Sequence, residues 1–334
     1  MAIILFDGLI YASVLAVLCV GLSLTYKITS VPNFAHVSFA ILGMYMALIM
    51  SKVVGLSVYA ALPLAFAVSG SVSLFMYYGI IRILQKKKSS LISLIIATLA
   101  FDIFMIGVLN IIADGIRLTY QVNSRDFTLR SLDVVIGGDG GLPLVFVVTV
   151  ALLAGLALGL YCLLYRTSFG MSMRGAIENE SLAQTLGINT RTIFCFGWFL
   201  SGGLAGIAGV LMAMWFQGDP SLAAIMLPSI FAGSIVGGFS SIFGAILGGL
   251  LVGLSEVVGT SVLIDLLGYW IIPYRPVIPF IAMVVTLLIL PGGLIQLITR
   301  YQKSRNKVKR AEEGETEKEE KSEDEKEEGS GIGA

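Results

Sequence analysis

The chain has 334 residues, 56% of them hydrophobic and 13% charged, with a formal net charge of zero. So high an apolar share with so few charges excludes an ordinary soluble domain and describes a polytopic membrane protein. The zero is a cancellation: residues 311–334 hold eleven acidic side chains against three lysines, net −8, which leaves residues 1–310 at +8.

A crossing helix needs about 20 apolar residues, because a rise of 1.5 Å per residue must cover a hydrocarbon core about 30 Å thick. The first span is predicted from about Leu9 to Tyr26, between Asp7 and Lys27, and that charge order favours an outside N-terminus. No basic stretch precedes it, so a cleavable signal peptide is not expected. The run Thr29-Ser30-Val31-Pro32-Asn33 is a break: Pro32 disfavours helix at Val31, and Asn33 is suited to cap the helix that resumes after it. A second span then reaches about Met50. After a short turn, the third span, Val58–Leu84, ends at Lys86-Lys87-Lys88, a cytoplasmic marker. The fourth, Ser90–Ile112, carries Asp102 near its middle. Its following loop, Ala113–Gly141, is expected outside, with a small hairpin over Val122–Val135 and a flexible glycine turn at 137–141.

The fifth and sixth spans, Leu142–Tyr165 and Thr192–Phe216, flank a polar island from Phe169 to Arg191. Its Arg174, Glu178, Glu180 and Arg191 cannot lie in lipid. Within it Asn179 is a good N-cap, Glu180–Leu186 reads as a short helix with Leu182, Ala183 and Leu186 along one side, and Gly187 is a natural stop. Such a helix either docks on a partner or packs on the chain's own helix ends, and the pattern leaves both open.

Beyond the sixth span the chain is rich in glycine. Gly233 and Gly237, Gly244 and Gly248, and Gly249 and Gly253 stand one helical turn apart, as do Gly202 and Gly206 within the sixth span. Small residues so spaced let helix backbones approach closely in a membrane. The run 225–238 is short for a full crossing and is expected to be a tilted or half helix buried in protein. The last span, Pro276–Ile298, leads into a basic segment. The expected fold is therefore an all-α polytopic membrane protein with eight or nine transmembrane helices, one broken or half-length. Residues 1–299 form the membrane domain, residues 300–310 a basic juxtamembrane segment with the C-terminus inside, and residues 311–334 a disordered charged tail.

The chemistry available to this chain is sparse. It has one histidine, His36, and no His, Cys or carboxylate cluster at metal-ligand spacing; no cofactor and no nucleic-acid partner is expected. Neither a nucleophile elbow nor a P-loop is present, so ATP is not bound in the P-loop manner. Charges inside spans are confined to Asp102 and Glu256, fewer than a proton- or sodium-coupled carrier usually needs, which argues for a channel-like or externally powered path. His36 and Asp102 each also admit a purely structural, hydrogen-bonded role. Irregular backbone at membrane depth is tolerated only where it is buried in protein or lines a cavity. Asn33, Phe34 and His36 at one break, and Gly237 and Gly238 at the other, are therefore expected to lie near each other beside the solute route, while Gly244–Gly253 serve packing.

Four motifs carry a family resemblance. Gly21-Leu-Ser-Leu-Thr-Tyr26, Val31-Pro-Asn-Phe-Ala-His36 and Leu42-Gly43-Met-Tyr45 resemble the N-terminal signature of branched-chain amino acid ABC-transporter permeases. Arg174-Gly-Ala-Ile-Glu-Asn179 through Leu182, Ala183, Leu186, Gly187 and Ile188 is similar to that family's ATPase-coupling loop. Gly237-Gly-Phe-Ser-Ser-Ile-Phe-Gly244 through Glu256, and Pro291-Gly-Gly-Leu294, resemble its glycine-rich module and its C-terminal ending. The match runs in order over about residues 9–298, and the short N-terminus favours the smaller of two paralogous permeases. Val37 departs from the pattern, because the family commonly has Gly after the histidine. The resemblance implies a prokaryotic cell-membrane permease subunit that takes small polar solutes, hydrophobic amino acids first, with urea or amides as other branches. It also implies a second homologous permease, two cytoplasmic ATPase subunits and an extracytoplasmic solute-binding protein. A secondary carrier without an ATPase is the reading from another class, and an intramembrane enzyme using His36 and Asp102 is a weaker third.

Overall fold

A computed structural model describes residues 2–136 and 141–296 of the chain. The basic segment and the charged tail expected at residues 300–310 and 311–334 lie outside the described residues, as does the turn at 137–140.

Among the described residues, eight helices are long and apolar enough to cross a membrane. The first, α1 (Ala2–Thr29), is longer than the composition of its ends suggested. It is followed by α2 (His36–Leu48), which a π-helical turn extends to Val53. A third rod consists of α3 (Ala61–Met76), a π-helical turn at Tyr77–Ile81 and α4 (Arg82–Lys86). Next come α5 (Leu91–Tyr120) and α6 (Leu144–Arg166). The polar island forms two short helices, α7 (Ser168–Glu178) and α8 (Glu180–Thr185). The remainder is α9 (Thr190–Ala213), α10 (Leu222–Gly237), α11 (Ile242–Leu267) and α12 (Val277–Ile289). Helix α10, with Pro228 inside it, has 16 residues. That length spans only about 24 Å at 1.5 Å per residue, short of a hydrocarbon core about 30 Å thick, so α10 is not among the eight.

The bundle is organised around α1, α2 and α9, whose side chains are mostly buried, while α5, α6 and α12 lie at the periphery. With little hydrophobic force between helices in lipid, close packing and hydrogen bonds must hold them together. Serine hydroxyls supply the bonds by donating to backbone carbonyls across helices. Ser201 donates to Gly21 (2.7 Å), Ser73 to Trp198 (2.8 Å), Ser69 to Phe39 (2.9 Å) and Ser234 to Cys19 (3.3 Å). Small residues supply the contact. Gly206 meets Gly43 of α2 and Ala65 of α3, and Gly202 meets Ser73. On the other side Gly244 and Gly248 lie against Gly237 and Gly233 of α10, while Gly249 and Gly253 rest on Ala16 and Ala12 of α1. Val37 is fully buried.

The expected hairpin at 122–135 does not form. Its backbone is used elsewhere: Leu129 N–H donates to Ala213 (2.8 Å), Gly218 N–H donates to Phe127 (2.7 Å), and Phe127 and Leu129 are buried against the end of α9. The strands present are two-residue pieces, Val135–Ile136 (β1) and Leu142–Pro143 (β2), paired antiparallel with Val135 opposite Pro143. This loop and the 213–219 segment mark one end of the bundle. The island marks the other, together with Arg82–Lys86 and the start of α5.

Candidate functional site

Two breaks in the helices lie in the half of the bundle nearer the island. At the first, Ser30 takes a positive φ of 55° and the chain turns through Val31, Pro32 and Asn33 before α2 begins at His36. Asn33 does not cap α2 in the expected way. Its Oδ1 accepts from the Ala35 N–H two residues on (3.1 Å), an Asx turn that leads into the helix. Thr98, two turns into α5, holds the break from outside by donating to Pro32 (3.3 Å) and receiving the Phe34 N–H (3.5 Å). At the second break α10 ends on Gly238, with φ 110° and ψ 102°, before Ser241 caps α11 by accepting the Gly244 N–H at 3.1 Å. Only glycine adopts that conformation without strain. The turn packs on the C-terminal Pro291-Gly-Gly-Leu294 motif: a Cβ on Gly238 would fall 2.7 Å from Ile295 Cγ2 and 3.0 Å from the Gly292 carbonyl.

The breaks are bridged by aromatic rings. Phe34 stacks on Phe231 of α10 (centroids 4.9 Å), Phe231 lies 6.0 Å from Phe239, and Phe239 meets Tyr26 of α1 at 4.1 Å. All four rings are half-buried. Beside them stand two buried polar atoms without partners, Asn33 Nδ2 and His36 Nδ1. The other imidazole nitrogen of His36, Nε2, bonds the Leu18 carbonyl at 3.1 Å. Such unsatisfied polar atoms are uncommon in folded proteins and mark a region with unused hydrogen-bonding capacity.

The island is built with hydrogen bonds at both ends. Thr167 starts α7 by accepting the Gly170 N–H (3.0 Å), and Met173 and Ala176 bury that helix against the bundle. Asn179 Oδ1 accepts the Leu182 N–H at 3.0 Å, which makes it the N-cap of α8. Gly187, at φ 80°, closes the helix: its N–H bonds Gln184 (3.0 Å) and the Ile188 N–H bonds Ala183 (3.0 Å), the Schellman pattern. A network of Gln184, Glu180 and Thr190 ties α8 to the start of α9, at 3.0–3.3 Å. The residues read as one apolar stripe divide: Ala183 faces inward, while Leu182 and Leu186 are 57% and 72% exposed. Arg174 lies over the Tyr165 ring at 4.8 Å. Beside α8 a polar cavity of about 640 Å³ collects Arg82, Lys86, Glu180 and Arg191.

Several residues of this end escape sequence reasoning. The π-helical turn presents two successive tyrosines to α9. Tyr77 stacks on Trp198 (5.3 Å), and Tyr78 accepts a 2.5 Å hydrogen bond from Arg191. Arg82 and Arg191 both place their guanidinium over the Tyr78 ring, at 5.4 and 4.9 Å. The intramembrane charges are also paired. Asp102 accepts from Ser38 (2.5 Å), and Glu256 accepts from Tyr11 (2.7 Å) and from Arg275 Nε (2.7 Å). A lone arginine between two spans was the available signal for the last of these. At the end opposite the island, Arg125 bonds Asp114 at 3.0 Å and approaches Asp219 at 4.0 Å; the Asp114 hydrogen bond raises the Arg125 pKa above its usual value.

Comparison with known proteins gives the family. A family described as the branched-chain amino acid transport system permease component matches residues 4–310. The Methanocaldococcus jannaschii protein named "Probable branched-chain amino acid transport permease protein LivH" is 40% identical over 291 residues, 87% of this chain and 91% of that one. The high-affinity branched-chain amino acid permease BraD of Pseudomonas aeruginosa is 27% identical over 301 residues (87% and 94%), and LivH of Salmonella typhimurium 25% over 309 (87% and 94%). No solved structure matches the chain. The chain is thus a multi-pass membrane protein that belongs to the permease-component family of the branched-chain amino acid transport system.

Proposed function

We propose that this chain moves branched-chain and other hydrophobic amino acids across a prokaryotic cell membrane, paired with a homologous permease, driven by two cytoplasmic ATPase subunits and fed by an extracytoplasmic binding protein. In this reading the island faces the cytoplasm with Lys86–Lys88, the Ala113–Gly141 stretch faces outward, and the N-terminus is outside. Support comes from the Lys and Arg distribution and from the named substrates of the relatives. The observation that carries the coupling role is the capped helix α8, which leaves Leu182 and Leu186 uncovered at the end of the bundle. A helix of fewer than two turns is marginal alone, so contact with something else must stabilise it. Arg174, Ala176, Asn179, Ala183 and Ile188 shape that loop rather than supply its anchors.

The solute route runs past the two breaks, with Tyr26, Phe34, Phe231 and Phe239 as its apolar constriction and Asn33 and His36 as its polar contacts. Nucleotide-driven movement of α8 reaches these helices through Thr190 and α9. The test is uptake into vesicles that hold this permease, its partner permease, the ATPase and the binding protein, screened over leucine, isoleucine, valine, urea and amides. ATP-dependent accumulation of the branched-chain amino acids is expected. Accumulation without ATP would favour a secondary carrier, and accumulation of urea or amides alone would reassign the cargo.

A further inference from the structure

A second polar centre lies away from the breaks, at the end opposite the island. There a cavity of about 410 Å³ opens between α1, α10, α11 and the 3-10 turn Tyr269–Tyr274. Its lining includes the aliphatic Leu222, Ile225, Met226 and Ile272, the rings of Tyr11 and Phe216, and the opposite charges of Glu256 and Arg275. We propose that this cavity is a binding site for a zwitterionic α-amino acid with an aliphatic side chain, entered before the aromatic constriction.

The geometry supports this at three points. Glu256 is 3% exposed in the middle of an apolar helix, and each of its oxygens accepts one hydrogen bond, from Tyr11 or from Arg275. A carboxylate can accept about four, so capacity remains for an ammonium group. Arg275 engages Glu256 through Nε alone; its guanidinium lies over the Tyr11 ring at 4.5 Å and near Phe216 at 5.9 Å, and Nη2 is buried without a hydrogen-bond partner. A guanidinium kept only to neutralise a carboxylate does so best with two parallel N–H bonds. Here the terminal nitrogens are left over, and they form the edge that recognises a second carboxylate. The site therefore offers one positive and one negative group side by side, the mirror of the adjacent ammonium and carboxylate of an amino acid.

An uncharged amide or urea could hydrogen-bond to either group but brings no opposite charge to it, so it would lack the charge-assisted strength that an ammonium and a carboxylate supply. Net charge favours the zwitterion too, since a neutral pair accepts a neutral dipolar ligand without adding charge to an apolar region. The volume falls within the usual range for small-molecule pockets. Helix α10 links the two centres: its first turns line this cavity and its last turns carry Phe231 and the Gly238 break. The constriction ring Phe231 stands five to nine residues along α10 from these lining positions, about 8–14 Å at 1.5 Å per residue. The inference rests on the permease reading and narrows its cargo.

The test uses the complete permease–ATPase complex in lipid nanodiscs without the binding protein, so that only the membrane subunits can bind. Millimolar leucine should raise the thermal midpoint, whereas leucinamide, which lacks the carboxylate, and 4-methylpentanoate, which lacks the ammonium, should not. The double variant Glu256→Gln/Arg275→Gln, which leaves no single buried charge, should lose the leucine shift. Ile225→Trp, which fills the aliphatic wall and spares the ion pair, should lose it as well and decides the matter if the double variant fails to assemble. A leucine shift that survives Ile225→Trp, or equal shifts with all three compounds, overturns the site. Wild-type vesicles that still accumulate leucine with ATP would keep the permease reading intact in that event.

Discussion

The Gly21 backbone lies directly against the imidazole of His36: a Cβ on Gly21 would stand 2.6 Å from Cε1 and 2.8 Å from Nε2 of the ring. Two parts of the N-terminal signature, fifteen positions apart in the chain, thus meet where α1 passes the start of α2. Gly21→Ala should push the ring off the Leu18 carbonyl and destabilise the fold by about 1–3 kcal/mol, the usual cost of overpacking. Thermal unfolding in detergent measures it. Adding His36→Ala should recover part of the loss, and equal midpoints for the single and double variants would refute the contact.

Leu182→Asp should leave insertion and folding normal and weaken retention of the ATPase in a detergent pull-down. Burial of a leucine contributes about 1.5–3 kcal/mol, so the loss in affinity should be about 10- to 100-fold. If the ATPase co-purifies undiminished and ATP hydrolysis still responds to substrate, α8 is not the coupling element.

Asn33→Leu should reduce uptake about tenfold while assembly with the ATPase is unchanged. The substitution removes the Asx turn, worth about 1 kcal/mol, but also removes an unpaired buried donor, so stability should change little. A fully active Asn33→Leu transporter would defeat the pathway assignment.

Orientation is tested with single cysteines in a chain whose Cys19, Cys162 and Cys195 have been replaced. An impermeant maleimide should label Thr128→Cys in intact cells and Asn179→Cys only in inverted vesicles; both positions are exposed on the folded chain. Labelling of position 179 in intact cells would invert the topology.

Truncation after Arg310 should leave uptake at the level of the full chain, because the removed segment is too polar to contribute to a core. Loss of uptake or of the assembled complex would assign the tail a role.

The crossing helices were legible because each must supply a long apolar run, whatever surrounds it. The breaks at Pro32 and Gly238 were legible for a local reason, since both residue types restrict where a helix can continue. The same holds for α8, whose Asn179 and Gly187 are capping residues by chemistry. Helix α7 was missed because Gly170 and Gly175 weaken its intrinsic propensity, and packing by Met173 and Ala176 overrides that weakness. The false hairpin has the converse cause: alternation at 122–135 is real, but its partners are Ala213 and Gly218 rather than itself. At the Glu256 cluster the sequence shows the intramembrane carboxylate and a lone Arg275 but not their meeting with Tyr11, which stands 245 positions from its carboxylate partner. Nothing in residue type marks the two π-helical turns.

The turn at Tyr77–Ile81 sets a rotational phase. A π-helical turn holds one more residue than the α-turn it replaces, and one residue is about 100° of rotation around an α-helix. α3 and α4 therefore share an axis but not a register. α3 keeps Ser69 and Ser73 on the carbonyls of Phe39 and Trp198, while α4 aims Arg82 and Lys86 into the cavity beside α8. Deleting a single residue from the turn would let the rod relax to a continuous α-helix. Its membrane half would keep its contacts, and its far end would swing those basic side chains about a quarter-turn away from Glu180 and Arg191.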